Sequence, residues 1–230
     1  MKHRSYQGRV LYLTDGVGEM GRETFYVTIQ PDGTRTMRAT CEMDDDRLLR
    51  DAVLTVDRDW NPTDAFVRLS VEEKIVGSSW FRFTEKTAEC QGFTAKEGRI
   101  AQLIDTPTRT IRFGAHPVHG DAWGLARLKT RVPGAVEETA GIAFSSSHLP
   151  NGGDGPMLMP SGSRSKKRYI GREKITVPAG AFDVEHFQAL FGDYPPIDIW
   201  ATPEDCIPVR LRWDLLKQSY ELVELSGDAR

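Results

Sequence analysis

The stretch "ETFYVTIQPDGTRTMRATCEM" (Glu23–Met43) decides the fold class. Its first half alternates Phe25, Val27 and Ile29 with Thr24, Tyr26 and Thr28. Its second half alternates Met37, Ala39, Cys41 and Met43 with Thr36, Arg38, Thr40 and Glu42. Between them "PDGT" (31–34) supplies a turn, with Gly33 where a positive φ is needed. A period of two sends successive side chains to opposite faces, so the segment reads as a β-hairpin with one face turned to a core.

The same alternation recurs outward from this hairpin at 51–57, 64–71, 78–84, 98–105 and 109–114. Beyond the middle of the chain it returns at 168–177, 182–190, 197–202, 207–215 and 220–225. "DGVGEMG" (15–21) lies between two strands and reads as a further hairpin turn rather than a phosphate loop. Helical periodicity is confined to Asp121–Lys129, with Asp121 as the expected N-cap. A dozen short strands and one or two helices indicate an all-β fold, an antiparallel lipocalin-like barrel or half-barrel calyx.

No repeat or linker divides the chain, and 230 residues suit a single barrel domain over 1–230. A globule of this length buries roughly 70–75% of the surface of its unfolded chain, so it needs no metal or disulfide for stability. The Gly-, Pro- and Ser-rich stretch at 148–167 is long for a plain connection. Met157, Leu158 and Met159 at its centre favour a lid over a solvated linker.

Thirty basic and 33 acidic residues leave a net charge of −3, which gives no reason to seek nucleic acid or an anionic membrane. The expected partner is a hydrophobic small molecule, one that can carry an anionic group, with room for a homodimer. Cys41, Cys90 and Cys206 are scattered and odd in number, as expected of buried thiols in a reducing compartment. The N-terminal segment lacks a signal-peptide h-region, and no apolar run reaches the ~20 residues of a membrane helix. The expectation is a cytoplasmic protein.

"ITVPAGAFDVEHFQ" and "IDIWATPEDCIPVRLRWDL", within 175–225, resemble the closing hairpins of the DUF3108 group of barrel proteins. In that group a "VPAG-[TA]-FD" turn precedes a strand, and a strand of "lWvs…PvR" type follows. The resemblance implies a lipocalin-like calyx or a lipoprotein-carrier half-barrel. It implies no activity, because the group is largely uncharacterised. Members are often exported, and without an export signal a cell-envelope role does not carry over.

Six arginines, Arg38, Arg68, Arg82, Arg112, Arg210 and Arg212, alternate with apolar residues on the expected strands. They either coat the solvated outer face or, turned inward, hold a carboxylate, phenolate or enolate with a planar fork that stays charged. Trp80 and Trp123 are the tryptophans expected beside an aromatic or polycyclic ligand, the others being core.

"GAHPVHGDAW" (Gly114–Trp123) places His116, His119 and Asp121 close in sequence. Pro117 and Gly120 break regular structure there, and neither helix nor strand geometry converges the three on a metal, so no metal is expected. One reading is a turn with Asp121 capping the helix. The other makes a histidine an acid or base oriented by Asp121, with His116 favoured to face the barrel mouth. His186 reads as an ordinary strand residue, and "SSS" (145–147) has only His148 beside it.

There is no G-x-S-x-G elbow, Walker loop or dinucleotide fingerprint, and no cofactor is expected. The reading is a cofactor-independent lyase or isomerase, acting by decarboxylation, dehydration or small-carbonyl loss on a hydrophobic aromatic or polycyclic molecule inside the barrel. The alternatives are a non-catalytic carrier of a hydrophobic ligand and, third, a structural barrel filled by side chains.

Overall fold

A computed structural model of the protein describes residues 2–149, 154–162 and 164–230. The alternating segments form an up-and-down run of eight strands: β1 (Arg4–Thr14), β2 (Gly18–Ile29), β3 (Arg35–Met43), β4 (Leu48–Val56), β5 (Pro62–Val71), β6 (Lys74–Phe83), β7 (Thr87–Thr94) and β8 (Gly98–Asp105). β9 (Thr110–Gly114), α1 (Val118–Ala122), a 3₁₀ turn (Trp123–Leu125), β10 (Val136–Ala140), β11 (Ile142–Ser145) and β12 (Met159–Pro160) follow. A second run is built from β13 (Arg164–Val177), β14 (Gly180–Phe191), β15 (Tyr194–Ala201), β16 (Pro208–Trp213) and β17 (Gln218–Gly227). Periodicity alone does not single out β7 or the short β10–β12.

Fourteen strands join one antiparallel sheet in the order β10-β13-β14-β15-β16-β17-β1-β2-β3-β4-β5-β6-β7-β8. A small second sheet, β12-β11-β9, contains a parallel β11–β9 pair. The protein is therefore all-β and barrel-like, as the alternation predicts, and its described residues contain one short α-helix. Among the described residues no helix is long and apolar enough to cross a membrane.

The pairing registers define what the inner face presents. One level runs Leu222–Val10–Glu23–Cys41–Arg50–Leu69–Gly77–Thr94 from β17 across to β7. The two levels on either side are dominated by apolar residues, so this row carries a polar band through the interior. Tyr6, Phe25, Phe81 and Phe187 are fully buried on four different strands, which ties the core to the whole sheet. Truncating one of these phenylalanines to alanine costs about 3–5 kcal/mol.

The helix begins four residues earlier than the sequence predicts. Pro117 occupies the N-cap position without a side-chain cap, and Asp121 lies within the helix. The cap comes instead from β2: Glu23 accepts the backbone N–H groups of Val118 at 2.6 Å and His119 at 3.1 Å. A carboxylate supplied by tertiary packing replaces the local Asx cap, because it reaches the first free N–H groups of the helix.

The described part of the expected lid is held against the inner face. Ser79 Oγ donates to the Pro156 carbonyl at 2.6 Å, and Gln102 exchanges hydrogen bonds with the Leu158 backbone at 2.7 and 3.0 Å. β6 comes so close that a Cβ on Gly77 would stand 2.6 Å from Pro156 Cδ. Gly155, Pro156 and Leu158 are buried. Residues 150–153 and 163 of the expected lid lie outside the described residues.

Candidate functional site

β9 ends at Gly114 and delivers "GAHPVHGDAW" into the interior, where its three polar side chains separate. His119 is fully buried and its ring stacks on Phe25 with centroids 4.2 Å apart. Its Nε2 lies 3.1 Å from the Tyr6 hydroxyl, and burial lowers its pKa to about 3. A neutral imidazole packed this way anchors the turn through a tyrosine rather than through backbone groups.

His116 adopts a φ of 76°, unusual for a residue with a Cβ. It is half-buried, and its Nε2 is 3.3 Å from Ser145 Oγ. Burial, then the charge of Arg50, lowers its pKa to about 4, so the ring is neutral at pH 7. Sequence reading found no base beside the serine run other than His148, because β11 brings Ser145 to His116 only through the parallel pairing with β9. The Ser145 hydroxyl donates to the Ser147 carbonyl at 2.6 Å, which competes with any proton transfer to His116.

Asp121 is the member of the motif that feels the charges of neighbouring cations. It is accessible to solvent, yet protein surrounds it closely enough for burial to raise its pKa to about 6. The charges of Arg112, Arg50 and Lys167 act on it in the opposite direction. Lys167 is buried, donates to Ser165 Oγ at 2.9 Å, and is lowered to about 8 by burial and by Arg112. Burial thus brings a carboxyl and an ammonium, each acting on the other through its charge, from opposite ends of the scale toward neutrality.

One small cavity adjoins Lys167 and Arg112, and a second lies at Tyr12 and Tyr220. The first, of about 20 Å³, room for a single water, is lined by Arg112, Gly124, Arg127, Ser165 and Lys167 among others. The second, of about 130 Å³, is lined by Tyr12, Met20, Met43 and Tyr220 among others. The Tyr12 and Tyr220 rings meet edge-to-face at 5.0 Å, and burial together with the charge of Asp121 raises Tyr220. Below them Glu23 is fully buried, accepts the Tyr12 hydroxyl at 3.0 Å, and is raised by burial to about 7 despite its four donors. The larger recesses, of about 400 and 520 Å³, are grooves away from these groups, the first of them across the outer face of β1–β4.

The expected ligand-binding residues do not converge in the barrel. Arg38 is exposed, its guanidinium 5.9 Å from the Tyr26 ring centroid. Arg68 pairs with Asp51, Arg210 with Glu221, and Arg212 with Asp15 and Asp214, while Arg82 is exposed. The reason is the pleat: each sits one residue from a core-facing neighbour and so faces outward. Trp80 is 39% exposed on the outer face, whereas Trp123 is core, edge-on to His119 and Trp60. Of the six strand arginines only Arg112, on the small sheet, lines a cavity beside Asp121 and Lys167.

Lys167, Tyr12, Tyr220 and Glu23 were not anticipated. The signal for Lys167 was available: in "RSKKRY" it shares the strand parity of the core residue Tyr169, whereas Lys166 does not. Among the described residues no three His, Cys, Asp or Glu side chains converge as metal ligands.

No family model matches the chain, and no curated protein matches it. The chain is similar in structure to a β-barrel-like protein of the domain of unknown function DUF1849 from Brucella abortus. That likeness has 11% identity, covers 99% of this chain and 98% of the other, and has a TM-score of 0.55. A DUF1089 family protein from Pseudomonas aeruginosa matches at 9% identity over 81% and 87% of the two chains, with a TM-score of 0.46. At such identities the first likeness shows the fold alone, that of a barrel-like group without assigned function, and not of DUF3108 in particular.

Proposed function

We propose that Asp121, Lys167 and Arg112 form a proton-transfer site, and that the protein is a cofactor-independent lyase or isomerase for an aromatic carbonyl or carboxylate compound. The observation that carries this reading is electrostatic: the charges of Arg112 and Lys167 act on the Asp121 carboxyl, which burial raises to about 6, while burial lowers Lys167, which lines a cavity together with Arg112, to about 8. Asp121 takes a proton from the carbon next to the carbonyl. The electron pair moves to the carbonyl oxygen, held by the cations of Lys167 and Arg112. Returning the proton at another position completes an isomerisation, and expelling a group from the neighbouring carbon completes an elimination.

The resemblance of 175–225 to DUF3108 supports a ligand-holding calyx. Three free, buried cysteines fit a reducing, cytoplasmic setting.

The test is proton–deuterium exchange, followed by NMR in D₂O, on arylpropanoid aldehydes, ketones and acids. Catalysed exchange beside the carbonyl, lowered by roughly 10²–10⁴-fold in Asp121→Asn, is expected. Saturable binding without exchange would leave the carrier reading. Exchange unchanged in Asp121→Asn would remove Asp121 from the chemistry.

A further inference from the structure

We infer that β8 is a dimerisation edge: two copies of the chain pair β8 against β8, antiparallel, about a two-fold axis through Gln102. β8 ends the fourteen-stranded sheet. The bond from Thr106 N to the Lys86 carbonyl at 2.7 Å sets the phase of the β7–β8 ladder. Residues 98, 100, 102 and 104 therefore turn their backbone groups toward β7, and Arg99, Ala101, Leu103 and Asp105 turn theirs toward the open edge. Among the described residues no backbone hydrogen bond is made on that side. An eight-residue strand with such an edge is a template for another strand.

The side chains on this edge complement themselves. With the axis at Gln102, Arg99 of one copy stands opposite Asp105 of the other, twice over. Neither has an ion-pair partner among the described residues. Ala101 stands opposite Leu103, which is 69% exposed in the single chain. On the inner face Ile100 meets Ile104, both half-buried now. Gln102 is held inward by its bonds to the Leu158 backbone and leaves the edge clear. Sliding the register by one residue opposes groups that point away from each other, and sliding it by two separates arginine from aspartate.

The surface beside the edge is apolar as well. An outward row runs Val53–Phe66–Trp80–Gln91–Ala101 up to β8, and Phe93 lies opposite Arg99. Phe66, Trp80 and Phe93 are 37, 39 and 50% exposed, so apolar surface borders the seam. The other end of the sheet differs. β10 has five residues, "VEETA", and self-pairing would bring its glutamates together. There Glu138 is already engaged by Arg164 at 2.9 Å and Lys166 at 3.7 Å.

Sedimentation equilibrium of the full chain tests the proposal. The wild type is expected at twice its 25.8 kDa. Ala101→Pro removes an N–H that points away from β7, so it should give a monomer with an unchanged circular dichroism spectrum. Arg99→Asp and Asp105→Arg should each raise the dissociation constant at least ~10-fold, and the double variant should restore it. Wild type that stays monomeric at every attainable concentration overturns the inference. So does a dimer indifferent to both charge reversals, a comparison that stands even if Ala101→Pro does not fold.

Discussion

Glu23 Oε2 accepts the backbone N–H of Val118 at 2.6 Å, so a carboxylate in the middle of β2 caps a helix 95 residues further along the chain. The same side chain accepts the His119 N–H, the Tyr12 hydroxyl and, at 3.8 Å, the Cys41 thiol. This single residue fixes where α1 starts and hence where Asp121 lies.

Glu23→Ala leaves those donors buried without an acceptor and should destabilise the fold by roughly 3 kcal/mol or more, read by urea unfolding. Glu23→Gln keeps one acceptor oxygen and should cost less. Burial raises the Glu23 carboxyl from 4.5 to about 7, so its contribution is fully present below pH 4.5 and is lost as pH rises through 7. Over that window the glutamine variant should show a flatter decline of stability than the wild type.

His119 acts in the opposite sense. Its pKa is lowered from 6.5 to about 3, so the unfolded chain takes up a proton first, and stability is lost as pH falls below 6.5. His119→Phe should leave the Tyr6 hydroxyl unsatisfied, at about 1–3 kcal/mol at pH 7. It should also reduce the acid sensitivity by up to about 1.4 kcal/mol per pH unit below 6.5. Unfolding curves of both proteins between pH 4 and pH 7 compare the slopes.

The alternation of apolar residues was enough to read the β2–β3 hairpin and most of the sheet, because a face turned to a core leaves its period in the sequence. The outward turn of Arg38, Arg68 and Arg82 was legible by the same rule. The helix start was not, since its cap comes from Glu23 across the barrel. The site was half legible. Asp121 belongs to the conspicuous histidine motif, whereas Lys167 sits in a basic run where only its parity with Tyr169 marks it as inward.

Two arginine truncations should separate structural from superficial ion pairs. Arg4 forms two bonds of 2.9 and 3.0 Å to Asp205, whose side chain is fully buried. Arg4→Ala leaves that carboxylate without its cation, with only the Arg230 backbone N–H at 2.8 Å, and should cost roughly 3 kcal/mol. Arg68 and Asp51 are more than 40% exposed at 3.3 Å, and Arg68→Ala should change stability by less than ~1 kcal/mol. Thermal melts of both variants against the wild type make the comparison.

The most direct measurement of the proposed site is a side-chain ¹³C NMR titration of Asp121 in the wild type and in Lys167→Met. The wild-type carboxyl is predicted to titrate at about 6 and to move further up when the Lys167 charge, which lowers it, is removed. An Asp121 that titrates near the ordinary ~3.9 and ignores Lys167→Met would contradict a shared proton-transfer site.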